Sequence, residues 1–158
     1  YLKSTAGYSQ KFWKGDKPFL YGYIRPALTL QTSAVVNMGA AHIDFNPISF
    51  LNLSIGKSYT KRNISEISNF DCSLVICRGS LKRTFYGVRS ALSFKKILFL
   101  TGVKWSRVSL VEASSLSFAD EQSSTIASAG NDLLIQKTLL LGYQLRPRLL
   151  LAYLGQYN

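Results

Sequence analysis

Apolar and polar residues alternate along most of the chain. In residues 82–94 the even positions are largely apolar, whereas the odd positions carry Arg83, Arg89, a glycine and small residues. Four further segments alternate in the same way: residues 2–12, 19–31, 48–60 and 97–106. A period of two places successive side chains on opposite faces of a β-strand. The pattern therefore predicts strands throughout these segments and little helix.

Three other segments alternate less strictly. Residues 133–144 and 148–157 are rich in leucine, and the phase of residues 34–45 slips near Ala40. With these segments the chain has about eight strands of about 10 to 14 residues, whereas ordinary strands average about 5 to 6. A tilted strand that crosses a bilayer needs about 9 to 11 residues. Strand length therefore favours an antiparallel transmembrane β-barrel over a soluble sandwich.

The connections between the strands differ strongly in length. Short turns are predicted at residues 14–17, 46–47, 95–96 and 146–147, where Gly-Asp and Asn-Pro are turn-forming pairs. Two long polar connections cover residues 61–80 and 112–132, and the second is rich in serine. Short turns at one end and long loops at the other are typical of bacterial outer-membrane barrels.

Two segments, residues 42–51 (HIDFNPISFL) and 141–149 (LGYQLRPRL), together with the alternating strands, resemble Gram-negative outer-membrane β-barrel proteins. The resemblance covers most of the chain at the level of the class and includes no motif diagnostic of one family. It implies a β-barrel fold and a bacterial outer-membrane location. It implies no substrate.

The order of the turns and loops along the chain bears on whether residues 1–158 form a whole barrel or part of one. If the short turns face the periplasm, the last strand ends outside, whereas a complete bacterial barrel has both termini in the periplasm. A miscounted strand near residues 34–45, missing flanking strands, or completion by another chain would each explain this. We therefore expect residues 1–158 to form one β-barrel domain, either complete or part of a larger barrel.

The amino-acid composition limits the class of protein and the kinds of binding site that the chain can form. The chain has 158 residues, 47% of them hydrophobic, with 19 Lys and Arg against 8 Asp and Glu. This apolar content excludes a disordered basic tail, and no window of about 18 apolar residues provides a transmembrane helix. One histidine and a few scattered carboxylates offer little for a metal site, so we expect no metal and no cofactor.

Basic residues on the strands point to a charged lumen. The strand phase assigns four of them to the lumen, Arg25, Arg83, Arg89 and Lys104, and adds Lys3 and Lys11 if the first strand is correct. Few acids lie on the strands to pair with them. A water-filled, anion-preferring lumen would explain this imbalance. The alternative is a plugged lumen in which these groups bind tyrosine, serine and backbone carbonyls.

Aromatic residues and cysteines support an envelope location. Six aromatic residues fall near predicted strand ends, as an interfacial girdle would: Trp13, Tyr59, Trp105, Tyr143, Tyr153 and Tyr157. Cys72 and Cys77 share a predicted external loop, and an oxidising compartment favours a disulfide between them. Two free thiols, or a metal-binding pair without other ligands, are the alternatives.

Basic residues flank the cysteine loop: Lys57, Lys61, Arg62, Arg78, Lys82 and Arg83. Such a cluster could bind lipopolysaccharide, which is anionic, or simply form the solvated base of a loop. The expected partners are therefore outer-membrane lipid and lipopolysaccharide, with other envelope chains as further candidates, and no nucleic acid.

The sequence favours a non-enzymatic outer-membrane barrel: a structural protein, a pore, or a subunit of an envelope complex. One alternative is a barrel enzyme that acts on lipid, for which His42 and Asp44 share a strand face, although no serine nucleophile can be assigned. The other is a soluble basic β-barrel that stacks nucleic acid on its aromatic residues. The basic residues are spread over many strands, which argues against a nucleic-acid stripe.

Overall fold

A computed structural model describes residues 2–17, 20–33, 35–63, 71–111, 117–120, 125–128, 132–146 and 149–157. Every regular element within these ranges is a β-strand, and all strand ladders are antiparallel. The predicted all-β, antiparallel fold class is confirmed for this part of the chain. No helix that is long and apolar enough to cross a membrane occurs among the described residues.

The described residues form eleven strands. They are β1 (Leu2–Gly7), β2 (Gln10–Lys14), β3 (Tyr21–Thr32), β4 (Val36–Ile48), β5 (Leu51–Arg62), β6 (Gly79–Phe94), β7 (Ile97–Leu110), β8 (Ser117–Asp120), β9 (Thr125–Ser128), β10 (Asp132–Arg146) and β11 (Leu149–Tyr157). Most of the main strands have the length that the sequence predicts.

Nine strands form one sheet, and β8 pairs with β9 in a separate hairpin. Both β1 and β2 pair with β3, so they act as one long strand interrupted at Tyr8 and Ser9. From β3 the sheet continues through β4, β5, β6, β7, β10 and β11. Within the described residues no ladder joins β1 or β2 to β11, and closure into a barrel therefore stays a prediction.

The sheet is curled, because residues from β1, β3, β4, β5, β6, β7 and β10 line one common cavity. We call the face toward this cavity the inner face and the opposite face the outer face. On β5, Ser54 and Ser58 lie on the inner face, whereas Ile55 and Tyr59 are exposed on the outer face. The same alternation runs along the other long strands, as the period-two pattern predicts.

The two ends of the sheet differ. At the turn end, residues 15–20, 49–50, 95–96 and 147–148 connect neighbouring strands. At the loop end, the connections are residues 33–35, 63–78 and the long segment 111–131 that contains β8 and β9. Both long loops lie at the loop end, as predicted, but the separation is incomplete because the three-residue connection 33–35 lies there too. The described strands β1 and β11 begin and end, respectively, at the loop end.

The turn predicted at residues 46–47 is wrong. Asn46 and Pro47 belong to β4, and the chain turns at Ser49 and Phe50. The pairing of β4 with β5 shifts register between Phe45 and Ile48. Proline lacks the N–H that a regular ladder needs, and an irregularity of this kind accommodates it within a strand.

The turn at Lys95 and Lys96 lies where the sequence predicts it. Lys95 has a φ of 53°, in the left-handed region that favours glycine. The Lys95 ammonium lies 5.4 Å from the centre of the Phe94 ring. A non-glycine residue is therefore held in a conformation that costs backbone energy in this short hairpin.

The predicted phase slip near Ala40 does not occur. In β4, Met38, Ala40 and His42 all contact the cavity, and their strand partners on β3 are Gln31, Thr29 and Ala27. The small residues around position 40 weaken the sequence pattern without changing the face assignment.

Candidate functional site

The inner face encloses a polar cavity of ≈ 580 Å³. Its ionisable wall residues are Lys3, His42, Asp44, Arg83, Arg89, Lys104 and Lys137. Its uncharged polar wall residues include Thr29, Gln31, Ser54, Ser58, Gln136 and Thr138. These residues are far apart in sequence, and strand alternation combined with the curl of the sheet brings them together.

Glycines make room for the large side chains of the cavity. A methyl group at Gly56 would lie 2.5 Å from Cζ of Phe85 and 2.6 Å from Cβ of His42. A methyl group at Gly102 would lie 2.8 Å from Cγ of Arg89. The Phe85 ring and the stem of Arg89 therefore pack against the glycine of the neighbouring strand, which fixes where their tips can reach.

Asp44 is the acidic residue of the cavity wall, and it is only 2% exposed. Arg25 donates to Asp44 Oδ2 from Nη2 at 2.7 Å and from Nε at 3.1 Å. His42 Nε2 lies 3.8 Å from the same oxygen. A buried carboxylate is costly unless it is paired, so Arg25 offsets the charge of Asp44. The other wall cations are consequently in excess over the wall acid.

Arg89 is positioned by neutral amides toward the turn end. Its Nη2 donates to Oδ1 of Asn52 at 3.2 Å. Nδ2 of Asn52 in turn donates to Oδ1 of Asn46 at 3.2 Å. This chain of amides orients the guanidinium without neutralising it.

Lys104 and Arg83 carry the remaining positive charge of the central wall. The Lys104 ammonium lies 4.7 Å from the centre of the Phe85 ring, a cation–π contact. Arg83 is 6% exposed and pairs across the sheet with Ser58 and Val108. An aromatic ring and small neighbours on the adjacent strands therefore position these two cations on the cavity wall.

The loop end of the inner face is covered by the hairpin of β8 and β9, which we call the cap hairpin. Phe118 and Ala127 of this hairpin pack in a buried cluster with Leu81, Val108 and Leu110 of the sheet. Phe118 is fully buried. Because these sheet residues occupy inner positions of β6 and β7, the cap hairpin covers the inner face of these two strands at the loop end.

Polar contacts connect the cap hairpin to the sheet and to the other long loop. Nη1 of the buried Arg62 donates to the carbonyl oxygen of Ala119. The Ile76 amide donates to Ser117 O at 3.0 Å, and the Ala119 amide donates to Ile76 O at 3.2 Å. These backbone bonds form a parallel bridge between the two long loops.

The disulfide between Cys72 and Cys77 is present, which confirms that prediction. Cys77 is buried and directly follows Ile76, the residue that bridges to the cap hairpin. Closing this short loop reduces the freedom of the segment that presents Ile76 to the cap hairpin.

The structure places all four predicted lumen residues on inner positions. Arg83, Arg89 and Lys104 line the cavity, whereas Arg25 binds Asp44. Lys3 also lines the cavity. Whether these cations select anions stays a prediction.

Lys11, the other residue added to the lumen set, lies 4.8 Å from the centre of the Tyr21 ring. It therefore contributes to the inner face near the turn end and does not line the central cavity within the described residues.

The six predicted girdle residues all lie on the outer face. Trp13 and Tyr143 lie toward the turn end, and the Trp13 indole donates to Pro47 O at 2.8 Å. Tyr59 and Trp105 lie toward the loop end. Tyr153 pairs with Leu141 and Tyr157 pairs with Lys137, at intermediate positions. The set is therefore divided between the two ends and the region between them.

The basic residues around the cysteine loop do not form one cluster. Lys61 and Lys82 are exposed on the outer face, whereas their sequence neighbours Arg62 and Arg83 are buried on the inner face. Adjacent residues of a strand point to opposite faces, so a run of two basic residues is divided between them. Arg62 in particular holds the cap hairpin.

Sequence reasoning missed the cap hairpin. The serine-rich segment was predicted only as a long polar connection with few large apolar anchors, yet Phe118, Ala119 and Ala127 are buried. The available signal was Phe118, the one large aromatic residue in that segment. The pairing of Asp44 with Arg25 was also missed, although both residues were placed on strands.

His42 and Asp44 share the inner face, as predicted, but Asp44 Oδ2 is already occupied by Arg25. The strand partner of Asp44 is Ser54, whose hydroxyl lies 3.5 Å from Gly87 O. Among the described residues no group of three His, Cys, Asp or Glu side chains could hold a metal ion.

Comparison with protein-family models, with curated proteins and with solved structures found no match to this chain.

Proposed function

We propose that the chain forms a non-enzymatic β-barrel in a bacterial outer membrane, with a cationic interior that admits anions in preference to cations. The observation that carries this proposal is the distribution of side chains between the two faces. Below its basic rim at the loop end, the outer face exposes mainly aliphatic and aromatic residues on successive strands, whereas the inner face holds Asp44, Arg83, Arg89 and several amide and hydroxyl side chains. In a protein folded in water, by contrast, the enclosed face is mainly apolar and the charged residues lie on the surface.

The outer face of β5, β6 and β7 changes character along the strands. Near the loop end the row across these strands is Lys57, Thr84 and Arg107. The next outer row is Ile55, Tyr86 and Trp105. The rows that follow are Leu53, Val88 and Val103, then Leu51, Ser90 and Thr101, then Leu92 with Phe99, and the last row toward the turn end contains Phe94 and Ile97. A charged rim, an aromatic row and a mainly apolar band succeed one another as they do in membrane barrels.

The apolar band has a suitable length. The segment from Tyr86 to Phe94 of β6 extends about 27 Å at about 3.4 Å per residue. With a strand tilt of about 40°, this corresponds to a height of about 20 Å, close to the apolar band of about 25 Å in outer-membrane barrels.

In a lipid bilayer, the strands at the two edges of the sheet would need hydrogen-bond partners, because unpaired backbone N–H and C=O groups are not tolerated in hydrocarbon. Lys3 of β1 and Gln136 of β10 already line the same cavity, so the curl brings opposite sides of the sheet together. We propose that the edges at β1–β2 and β11 pair with each other or with further strands of the barrel.

The interior favours anions because its wall cations exceed its wall acid, and Arg25 already offsets that acid. The cap hairpin covers part of the loop end, so conduction through the interior should be small. A cationic cavity whose loop end is partly covered by the cap hairpin resembles a restricted path for anions more than it resembles an open porin channel.

Insertion into a membrane is tested first. The protein is refolded in detergent and in phosphatidylcholine vesicles, and its electrophoretic mobility is compared with and without boiling. We expect a mobility change on boiling and no release from vesicles in high salt. A protein that stays monomeric and folded in buffer without detergent would overturn the membrane proposal and favour the soluble nucleic-acid alternative.

Anion preference is tested by the reversal potential in planar bilayers under a potassium chloride gradient. The variant Arg83→Gln with Lys104→Gln should shift the reversal potential toward cation permeation. The matched control removes the same charge at the turn end, Lys95→Gln with Lys96→Gln, and should leave the reversal potential unchanged. Equal potentials in all three proteins would contradict the assigned role of the interior.

A further inference from the structure

We propose that the outer face of β5–β7 at the loop end binds the phosphate groups of an anionic lipid, through Lys57, Lys82 and Arg107. We call these three residues the rim patch. The proposal rests on the membrane location proposed above and adds a specific ligand to that barrel.

The three cations surround one small residue. Lys57 is the direct strand partner of Thr84, and Thr84 is the direct partner of Arg107. Lys82 lies two residues before Thr84 on the same face of β6. Two strand spacings separate Lys57 from Arg107 by about 10 Å, so the three long side chains can converge over Thr84.

The rim patch has no opposite charge on its own strands. β5, β6 and β7 contain no Asp or Glu. Lys57, Lys82 and Arg107 are all exposed. Like charges this close repel one another, and a multivalent anion that bridges them relieves the repulsion. Lysine and arginine are also the residues that hold phosphate oxygens, arginine in bidentate geometry.

The residues around the rim patch favour a lipid over a soluble anion. Tyr59 is the strand partner of Lys82, and Tyr86 with Trp105 forms the row directly below. Tyrosine and tryptophan prefer the headgroup region of a bilayer, where one part of the ring is apolar and the other is wet. A phosphate above this row and acyl chains below it match the order of the side chains.

The surface differs from the basic cluster that the sequence suggests. Arg62 and Arg83 point inward and cannot contribute. Arg107, which is distant from the cysteine loop in sequence, replaces them because β7 pairs with β6. The ligand site is therefore assembled by strand register.

The test uses lipid A as the phosphorylated probe, and the reporter is Trp105. Trp13→Phe leaves Trp105 as the fluorescent tryptophan of the chain, since the sequence has two tryptophans. The protein in detergent micelles is titrated with lipid A, and the same titration is repeated with the dephosphorylated lipid and with inorganic phosphate. We expect saturable fluorescence change with lipid A and little change with the other two probes.

The triple variant Lys57→Gln, Lys82→Gln, Arg107→Gln should weaken lipid A binding on the order of 100-fold, since each basic residue at an anionic surface contributes about fivefold. The matched control, Lys95→Gln with Lys96→Gln, should bind as the parent does. Binding by the triple variant within about twofold of the parent would overturn the proposal. Equal binding of dephosphorylated lipid would also overturn it.

Failure of this site and failure of the membrane proposal are distinguishable. The mobility change on boiling in pure phosphatidylcholine vesicles reports membrane insertion without any phosphomonoester. If the barrel inserts into vesicles but does not bind lipid A, only the rim-patch proposal is rejected. If the protein does not insert, both the membrane proposal and the rim-patch proposal are rejected.

Discussion

The outer and inner faces of the same strands are stabilised in different ways. On the outer face, Leu28, Leu30 and Val88 are exposed, and the proposed membrane location would require only that they be apolar. On the inner face, Asp44 is buried and depends on one specific partner, Arg25. A face that contacts only surrounding solvent or lipid tolerates the exchange of one apolar residue for another. The inner face, where side chains contact one another, depends on particular pairs of residues.

The largest expected effect concerns the inner face at the cap hairpin. Phe118→Ala removes a fully buried ring from the cluster with Leu81 and Val108. We expect the packing of the cap hairpin on the sheet to be destabilised by about 3–5 kcal/mol. Protease sensitivity within residues 117–128 should rise, and single-channel conductance should rise with it. Unchanged proteolysis of this segment would show that the cap hairpin is not held by Phe118.

The outer face is tested by a charge in its apolar band. Val88→Lys should destabilise the protein in phosphatidylcholine vesicles by about 2–4 kcal/mol, because a lysine would face hydrocarbon. The same change at an inner position, Gln136→Lys opposite Lys104, should cost less than about 1 kcal/mol. Urea titrations in vesicles measure both. Equal effects would remove the difference between the faces, and a Val88→Lys cost below about 0.5 kcal/mol would indicate that Val88 faces water.

A smaller effect is expected when the inner ion pair is broken. Asp44→Asn should destabilise the protein by about 2 kcal/mol, since it removes charge-assisted hydrogen bonds and leaves Arg25 without its acid. Arg25→Gln in the same background should cost much less than it does alone. The double-mutant cycle in urea measures this coupling, and additive effects would show that the pair contributes little.

The smallest effect lies outside both faces, in the cysteine loop. The Ser73 hydroxyl donates to the Asp71 carboxylate, and with the Ser73 backbone N–H it lowers the pKa of Asp71 below its usual value. A lowered pKa means that the native turn is favoured above the usual pKa of Asp71 and loses this contribution as the pH falls through the lowered value. The protection of the Ser73 amide against hydrogen exchange, measured relative to the intrinsic rate at each pH, should therefore fall in acid. Ser73→Ala should reduce this pH dependence; an identical pH profile would exclude the hydroxyl as its cause.

The sequence predicts the outer face better than the inner contacts, for a physical reason. Alternation alone places Ile55 and Tyr59 on one face and Ser54 and Ser58 on the other. Pairing of Arg25 with Asp44 depends on the register between β3 and β4, which the weak pattern near Ala40 does not fix. Cap residues such as Phe118 belong to a strand of four residues, too short for any period to emerge.

The turn at the end of β4 teaches a related lesson. Asn-Pro is a common turn former, yet Pro47 lies inside the strand because a register shift removes the need for its missing N–H. Local turn chemistry and strand pairing gave opposite predictions at this position, and the pairing with β5 prevailed.

The order of the strands also has a consequence for how the protein reaches its native state. Each long strand pairs with the nearest long strand in the sequence, so the sheet can grow by adding one neighbouring strand at a time, and the cost of loop closure rises only slowly for the two long loops. The bridge between Ile76 and Phe118 is different, because it joins two loops across the intervening strands β6 and β7. This contact can form only after that hairpin is in place. The cap hairpin should therefore dock last, as a slow final phase that follows the appearance of sheet structure.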